Sequence, residues 1–265
     1  MKIALCLSGY LRTFRECYPS IVENIIQDND CDIFIHTYDK WGLSKGWMKP
    51  DTGEILKEPT EIVPARLGWV EFIPRPTEDI DIDFLESIPN IKTIAVEKLE
   101  DIKYKFEKFH GVSLFSNIDQ IANVLYKIYE CNELKKQYEK ENNFIYDLVI
   151  RTRGDQMFTK KINLDFPKDK ILINAYPWGD EDYVHHTPGG EDECLSDRLA
   201  IGNSANIDYL SDLYNHIEEI FANNTITYSP LEILLLKHLE NKIEVEKRNL
   251  NFYVKHNPQR LKKPS

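Results

Sequence analysis

Apolar residues fall into two kinds of block along the chain: short continuous runs of strand length, and longer stretches with an apolar residue every three or four positions. Residues 2–8 (KIALCLS) and 31–37 (CDIFIHT) are runs of the first kind, with an amphipathic segment at residues 21–26 between them. A strand, a helix and a second strand in that order predict a parallel pair joined by a right-handed crossover. From Ser116 the spacing becomes helical through Ile121, Val124, Leu125, Ile128, Cys131 and Tyr138, with Ser116 and Asp119 as a capping pair. This helix runs into a buried strand at the start of YDLVIRTRGDQMF, residues 146–158, and KILINAY, RLAIG and KIEVEKR are further strand candidates. Ile207, Leu210, Leu213, Ile217 and Ile220 predict one face of a single helix. Ser229, Pro230 and Glu232 supply an N-cap, a first-turn proline and a capping-box glutamate for a Leu-rich helix ending near Leu239.

Strands alternating with helices predict an α/β fold, a mostly parallel central sheet flanked by helices with a Rossmann-like N-terminal part. Residues 40–110 carry Trp41, Trp47, Trp69 and several prolines with little sustained periodicity, and are expected to form a long irregular insertion or lid. The whole chain, residues 1–265, reads as one domain that contains this insertion or lid. In such sheets ligands bind beyond the carboxyl ends of the strands. Three polar clusters are predicted there: residues 8–12, 37–39 and 151–155.

Charge narrows the partners. With 33 basic and 44 acidic residues the net charge is −11, which argues against a nucleic-acid partner, because a polyanion needs a basic footprint. No segment approaches the ~18 uninterrupted apolar residues that span a bilayer, and the N-terminus reads as a strand rather than a leader. Five cysteines, Cys6, Cys17, Cys31, Cys131 and Cys194, are odd in number and form no CxxC pair, so a cytoplasmic location is expected. The basic tail KHNPQRLKKPS offers peripheral contact with the inner face of a membrane, or is a solvated terminus.

The strongest chemical signal is Arg151, Arg153 and Asp155. Residues two apart on an extended strand face the same way, so the three side chains converge if the strand continues that far. Two guanidinium forks suit phosphate oxygens, and a carboxylate among them suits a divalent cation bridging those oxygens; the plain alternative is a salt bridge at the sheet rim. Gly9, just after the first strand, marks a tight turn or a close backbone approach, and Arg12 and Arg15 add positive charge. Neither GxGxxG nor a P-loop is present. DIDIDF at residues 79–84 reads as a solvated acidic segment. Asp180 and Asp182, with His185 and His186 nearby, read as an acidic loop, with a metal site as the alternative. Asp197 either accepts a proton from a hydroxyl nucleophile or caps a turn and pairs with Arg198. Glu232 is explained by its capping box, and His256 by default as a surface residue.

MKIALCLSGYLRTF, DIFIHTYD, LYKIYECNELKKQYEKENNFIYDLVIRTRGDQMF and DRLAIGNSANIDYLSDLY together resemble the GT-A-like nucleotide-sugar glycosyltransferases of bacterial surface-polysaccharide and viral glycan gene sets. The resemblance leaves residues 40–110 unmatched. It implies a nucleotide-sugar donor across the carboxyl ends of the first strands, contacted by Ser8, Gly9, Arg12, Thr37, Asp39, Arg151, Arg153 and Asp155. It implies a glycan acceptor facing Asp197 as catalytic base, and Asp155 in the place of the last aspartate of a DxD metal motif. Arg153 stands where that motif has its other aspartate, so the arginines neutralise the diphosphate with or without Mg²⁺ or Mn²⁺. On this reading Arg153→Ala or Asp155→Ala abolishes transfer and leaves the fold intact. Two other classes compete: a nucleotidyltransferase making the activated sugar, and a non-enzymatic carbohydrate-binding protein with Trp41, Trp47, Trp69 and Trp178 as stacking platforms.

Overall fold

A computed structural model describes residues 1–42, 45–48, 55–56, 73–74, 79–110, 118–174, 195–224, 226, 230–250 and 252–254. The chain begins β1 (Lys2–Ser8), α1 (Phe14–Ile21), β2 (Asp30–Tyr38), and a π-helical turn, Val22–Ile26, extends α1. Three short strands follow, β3 (Lys45–Met48), β4 (Ile55–Leu56) and β5 (Ile73–Pro74), then α2 (Ile82–Glu86), β6 (Ile91–Glu97), α3 (Leu99–Ile102) and α4 (Tyr104–Glu107). The second half runs α5 (Ile118–Asn142), β7 (Leu148–Thr152), β8 (Gln156–Phe158), β9 (Ile171–Asn174), β10 (Leu199–Gly202), α6 (Ser204–Ser211), α7 (Leu213–Asn223), α8 (Pro230–Leu239), β11 (Val245–Arg248) and β12 (Phe252–Val254).

Seven strands form the central sheet in the order β11, β9, β10, β7, β1, β2, β6. Pairing is parallel from β7 through β1 and β2 to β6 and between β9 and β11, while β10 is antiparallel to both its neighbours. The architecture is thus α/β with a mostly parallel mixed sheet flanked by helices. Alternation within the strands builds two cores. Ile3, Leu5, Leu7, Ile33, Ile35 and Ile150 face α1, and Ala4, Cys6, Phe34, Val149 and Ala200 face the layer of α5 to α8. Fully burying each larger side chain stabilises the fold by roughly 1.5–3 kcal/mol. The small Ala4 and Cys6 admit α5 close to the sheet, where the Cys131 thiol lies 3.5 Å from the Leu7 carbonyl and 3.6 Å from that of Phe34.

Two expectations change. Residues 40–110 are not an insertion throughout: β6 forms an edge of the sheet, and Phe106 and Phe109 are buried against α5. IKTIAVE hides its strand character because an edge strand leaves most of its positions partly exposed. The helix expected through Ile207 and Ile220 is two, α6 and α7, meeting at Asp212, which is the C-cap of one and the N-cap of the other. All five apolar positions are nevertheless buried, because the break preserves their common face.

Direction determines where chemistry gathers. The carboxyl ends of β1, β2, β6 and β7 lie along one edge, and the reversed β10 brings its amino end there, with Leu199 opposite Thr152. Along that edge stand, in order, Glu97, Thr37, Ser8, Thr152 and the approach to β10.

Candidate functional site

At the centre of the edge the turns after β1 and β7 meet. Gly9 has φ +92°, a conformation that L side chains rarely adopt, and its N–H donates to the His36 carbonyl at 3.1 Å. Arg12 is also left-handed, at φ +42°. That conformation costs a non-glycine residue about 1–2 kcal/mol, and it is held by the Arg12 N–H donating to the Trp41 carbonyl. After β7, Gly154 packs so closely that a Cβ would lie 2.8 Å from the Leu11 side chain. This close approach lets Asp155 sit fully buried beneath Arg12. Arg153 folds back on it as a fork, Nε to Oδ1 at 2.9 Å and Nη2 to Oδ2 at 2.7 Å, and Arg12 Nη1 donates to Oδ2 at 3.2 Å.

One carboxylate thus holds two guanidinium groups, each with a solvent-facing remainder; their side chains are 30% and 25% exposed. Burial lowers the Arg12 pKa and the neighbouring Arg153 charge adds to this, with Asp155 opposing both. Burial acts the same way on Arg153, but the charge and hydrogen bonds of Asp155 outweigh it and leave that pKa raised. Arg12 Nε and the Ser8 hydroxyl are buried polar atoms that find no partner among the described residues.

Arg151 takes a different place from the one expected. β7 ends at Thr152, so Arg151 remains in the strand and faces the α5 side, 3% exposed, instead of joining Arg153 on Asp155. Burial lowers its pKa to about 10, with Asp197 opposing the shift. Its Nε has no partner among the described residues. Arg151 and Asp197 line a recess with Ser196, Leu231 and Leu235. Asp197 also acts electrostatically on Arg153 and on Glu232, and so connects the two halves of the site.

On the other flank, Tyr10 packs against Tyr38 with ring centroids 4.3 Å apart and the ring planes tilted by 34°. Thr37 is fully buried, and its hydroxyl is without a partner among the described residues. Asp39 is fixed through its main chain, donating to Glu97 and accepting from Ile80, and its charge bears on Tyr10. Behind this flank α5 inserts Lys127, which donates to the Thr37 carbonyl at 3.0 Å and to Glu97 at 2.8 Å and lies 4.0 Å over the Tyr38 ring. Burial lowers Lys127 to about 8. Burial and Lys127 together lower His36 to about 3. Lys127→Met should cost about 1.5–3 kcal/mol, the range for a hydrogen bond to a charged group. Chemical denaturation would register this, and an unchanged midpoint would show that the network contributes nothing.

The structure therefore gathers Ser8, Gly9, Arg12, Arg153, Asp155 and Asp197 on one edge, with Thr37 and Asp39 one strand further along. Other candidates have structural partners. Asp79 pairs with Lys40, while Asp81 caps α2 and pairs with Arg15, which lies over Trp41 and Phe84. Trp69, Trp178, Asp180, Asp182, His185, His186, Cys194, Ser116, Ser229, His256 and the basic tail lie outside the described residues, as does the side chain of Trp47. Cys6, Cys17, Cys31 and Cys131 are buried. Among the described residues no group of three or more His, Cys, Asp or Glu is placed to hold a metal ion, and no helix is long and apolar enough to cross a membrane. Residues not singled out for the site in sequence are Tyr10, whose neighbour Gly9 was the only local signal, and Lys127, which was masked by helical periodicity. Comparison with known proteins finds no match to a protein-family model and none to a curated protein.

Proposed function

We propose that the chain is a glycosyltransferase that moves a sugar from a nucleoside-diphosphate donor to a glycan acceptor. The observation that carries this reading is the pair of guanidinium groups fixed on buried Asp155 at the carboxyl ends of β1 and β7. The resemblance to GT-A-like enzymes and the mostly parallel sheet support it. From Thr37 on β2 to Asp197 before β10 the edge crosses three strand spacings, about 14 Å at ~4.8 Å each. Nucleoside beside Tyr10, Thr37 and Asp39, diphosphate beside Ser8, Gly9, Arg12 and Arg153, and sugar toward Asp197 follow that edge in order.

The chemistry balances with these groups. The acceptor hydroxyl oxygen forms the new bond to the anomeric carbon as the bond from that carbon to the diphosphate oxygen breaks. The bonding pair leaves on the diphosphate, and Asp197 takes the hydroxyl proton. Arginines preorganised where negative charge grows lower the barrier, because they need no reorientation during the step.

A divalent cation does not fit at Asp155 with these pairs intact. Its oxygens already accept three guanidinium hydrogen bonds, and the surrounding charges are positive. The arginines therefore serve as the diphosphate's counter-charge. A thermal-shift screen of UDP, GDP, CDP, TDP and ADP in EDTA should show stabilisation by one of them. A ligand at ~100 times its dissociation constant adds about 2.7 kcal/mol. Stabilisation only when Mn²⁺ is restored would reject the metal-free account. Stabilisation by free glycan, with none by any nucleotide, would favour the carbohydrate-binding alternative. Pyrophosphate release from a nucleoside triphosphate would favour the nucleotidyltransferase.

A further inference from the structure

On the buried face of α5, Lys127 stands directly behind the end of β2 that bears Thr37 and Tyr38, and it is 1% exposed. Its Nζ donates to the Thr37 carbonyl at 3.0 Å and to Glu97 Oε2 at 2.8 Å, and lies 4.0 Å from the centre of the Tyr38 ring. Tyr10 packs on that ring in turn, and Gly42 closes against Tyr10: a Cβ at Gly42 would lie 2.7 Å from the Tyr10 Cβ. The ammonium group, Tyr38 and Tyr10 thus form a column that ends at half-buried Tyr10. Glu97 is itself fixed, accepting from the Tyr126 hydroxyl at 2.9 Å and lying 3.4 Å from His36 Nε2.

We propose that Lys127 is a positioning residue for the nucleoside end of the donor site: its ammonium group fixes the Thr37 main chain and, through the Tyr38 ring, the Tyr10 ring against which the nucleoside lies. The assignment rests on the glycosyltransferase reading. The charged form is the competent one, because a neutral amine loses both the ion pair with Glu97 and the attraction of a cation to the Tyr38 ring. Lys127 is faced by Glu97 from β6, His36 and Tyr38 from β2, Lys105 from α4, and Tyr126 and Glu130 from α5 itself. Burial lowers its pKa to about 8, with Glu97 and Glu130 opposing the shift and Lys105 adding to it. His36, lowered to about 3, stays neutral in the same range, so of these two neighbours it is Lys127 that changes charge. Apparent affinity falls with the fraction of protein in the competent form.

Calorimetry with the bare nucleoside and with inorganic pyrophosphate separates the two ends of the site. At pH 7 Lys127→Met should bind the nucleoside about tenfold more weakly and pyrophosphate as tightly as the wild type, since the phosphate end depends on Arg12 and Arg153. From about pH 7 to about 9 the wild type should lose nucleoside affinity about tenfold more than Lys127→Met does, as the competent fraction falls. A base that itself titrates moves both proteins alike, so the difference between the two curves is the readout. Glu97→Gln keeps the hydrogen bond to Lys127 and removes the charge, so it should move the midpoint of the pH dependence to lower pH, and it tests the charge even if Lys127→Met does not fold. Equal nucleoside affinities, a loss of nucleoside and pyrophosphate in the same proportion, or a midpoint unmoved in Glu97→Gln overturns the assignment. Failure of the transferase reading appears separately, as a wild-type protein that binds neither nucleoside nor nucleotide, and it removes the positioning role as well.

Discussion

Replacing Asp155 with alanine should destabilise the protein by about 3 kcal/mol and abolish binding of the donor diphosphate. The sequence alone predicts loss of activity with the fold intact. Burial changes the expectation, because the carboxylate is 0% exposed and is the counter-charge for two guanidinium groups. Removing one partner of a buried ion pair typically costs ~3–5 kcal/mol, since the charge left behind stays uncompensated. The lower end applies here because Arg12 and Arg153 each retain a route to water. For a domain whose whole stability is about 5–15 kcal/mol, this is a large fraction. Urea denaturation measures it. A midpoint equal to the wild type would mean that the pairs contribute nothing to the fold, and retained nucleotide affinity would mean that the arginines need no anchor.

Asp197→Asn should lower transfer by about 10²- to 10⁴-fold, the span of a positioned general base, and leave donor affinity close to wild type. The substitution keeps side-chain volume and removes the charge. It also removes the group that partly offsets the burial of Arg151, so the separation of kcat from donor affinity is the informative readout. A variant that turns over at the wild-type rate excludes Asp197 from proton transfer. One that loses donor affinity in proportion to rate makes Asp197 a structural partner of the arginines.

Much of the scaffold was readable because periodicity reports burial. β1, β2, β7, β9, β10 and α5 coincide with the apolar blocks, each with one or both faces covered. Direction was not readable: LAIG has the same buried pattern whether it runs parallel or antiparallel, and only its pairing with β7 and β9 shows it reversed. The site was legible as far as strand ends are legible. Arg12, Arg153 and Asp155 do meet, beside Ser8 and Gly9 at the end of β1, whereas the alternation rule carried Arg151 into the same group because the strand was expected to continue past Thr152. The turn at Gly154 breaks that alternation, and the glycine's close approach to Leu11 depends on a contact more than a hundred residues away in sequence.

The central claim is that the guanidinium groups on Asp155 hold a diphosphate. It is tested most directly by titration calorimetry in EDTA, comparing the preferred nucleoside diphosphate with its bare nucleoside in the wild type and in Arg153→Ala. The account predicts that the wild type prefers the diphosphate by at least ~100-fold, about 2.7 kcal/mol at 1.4 kcal/mol per factor of ten. In the variant most of that preference should disappear while nucleoside affinity is kept. Equal binding of nucleoside and diphosphate by the wild type, or an unchanged preference in Arg153→Ala, would contradict it.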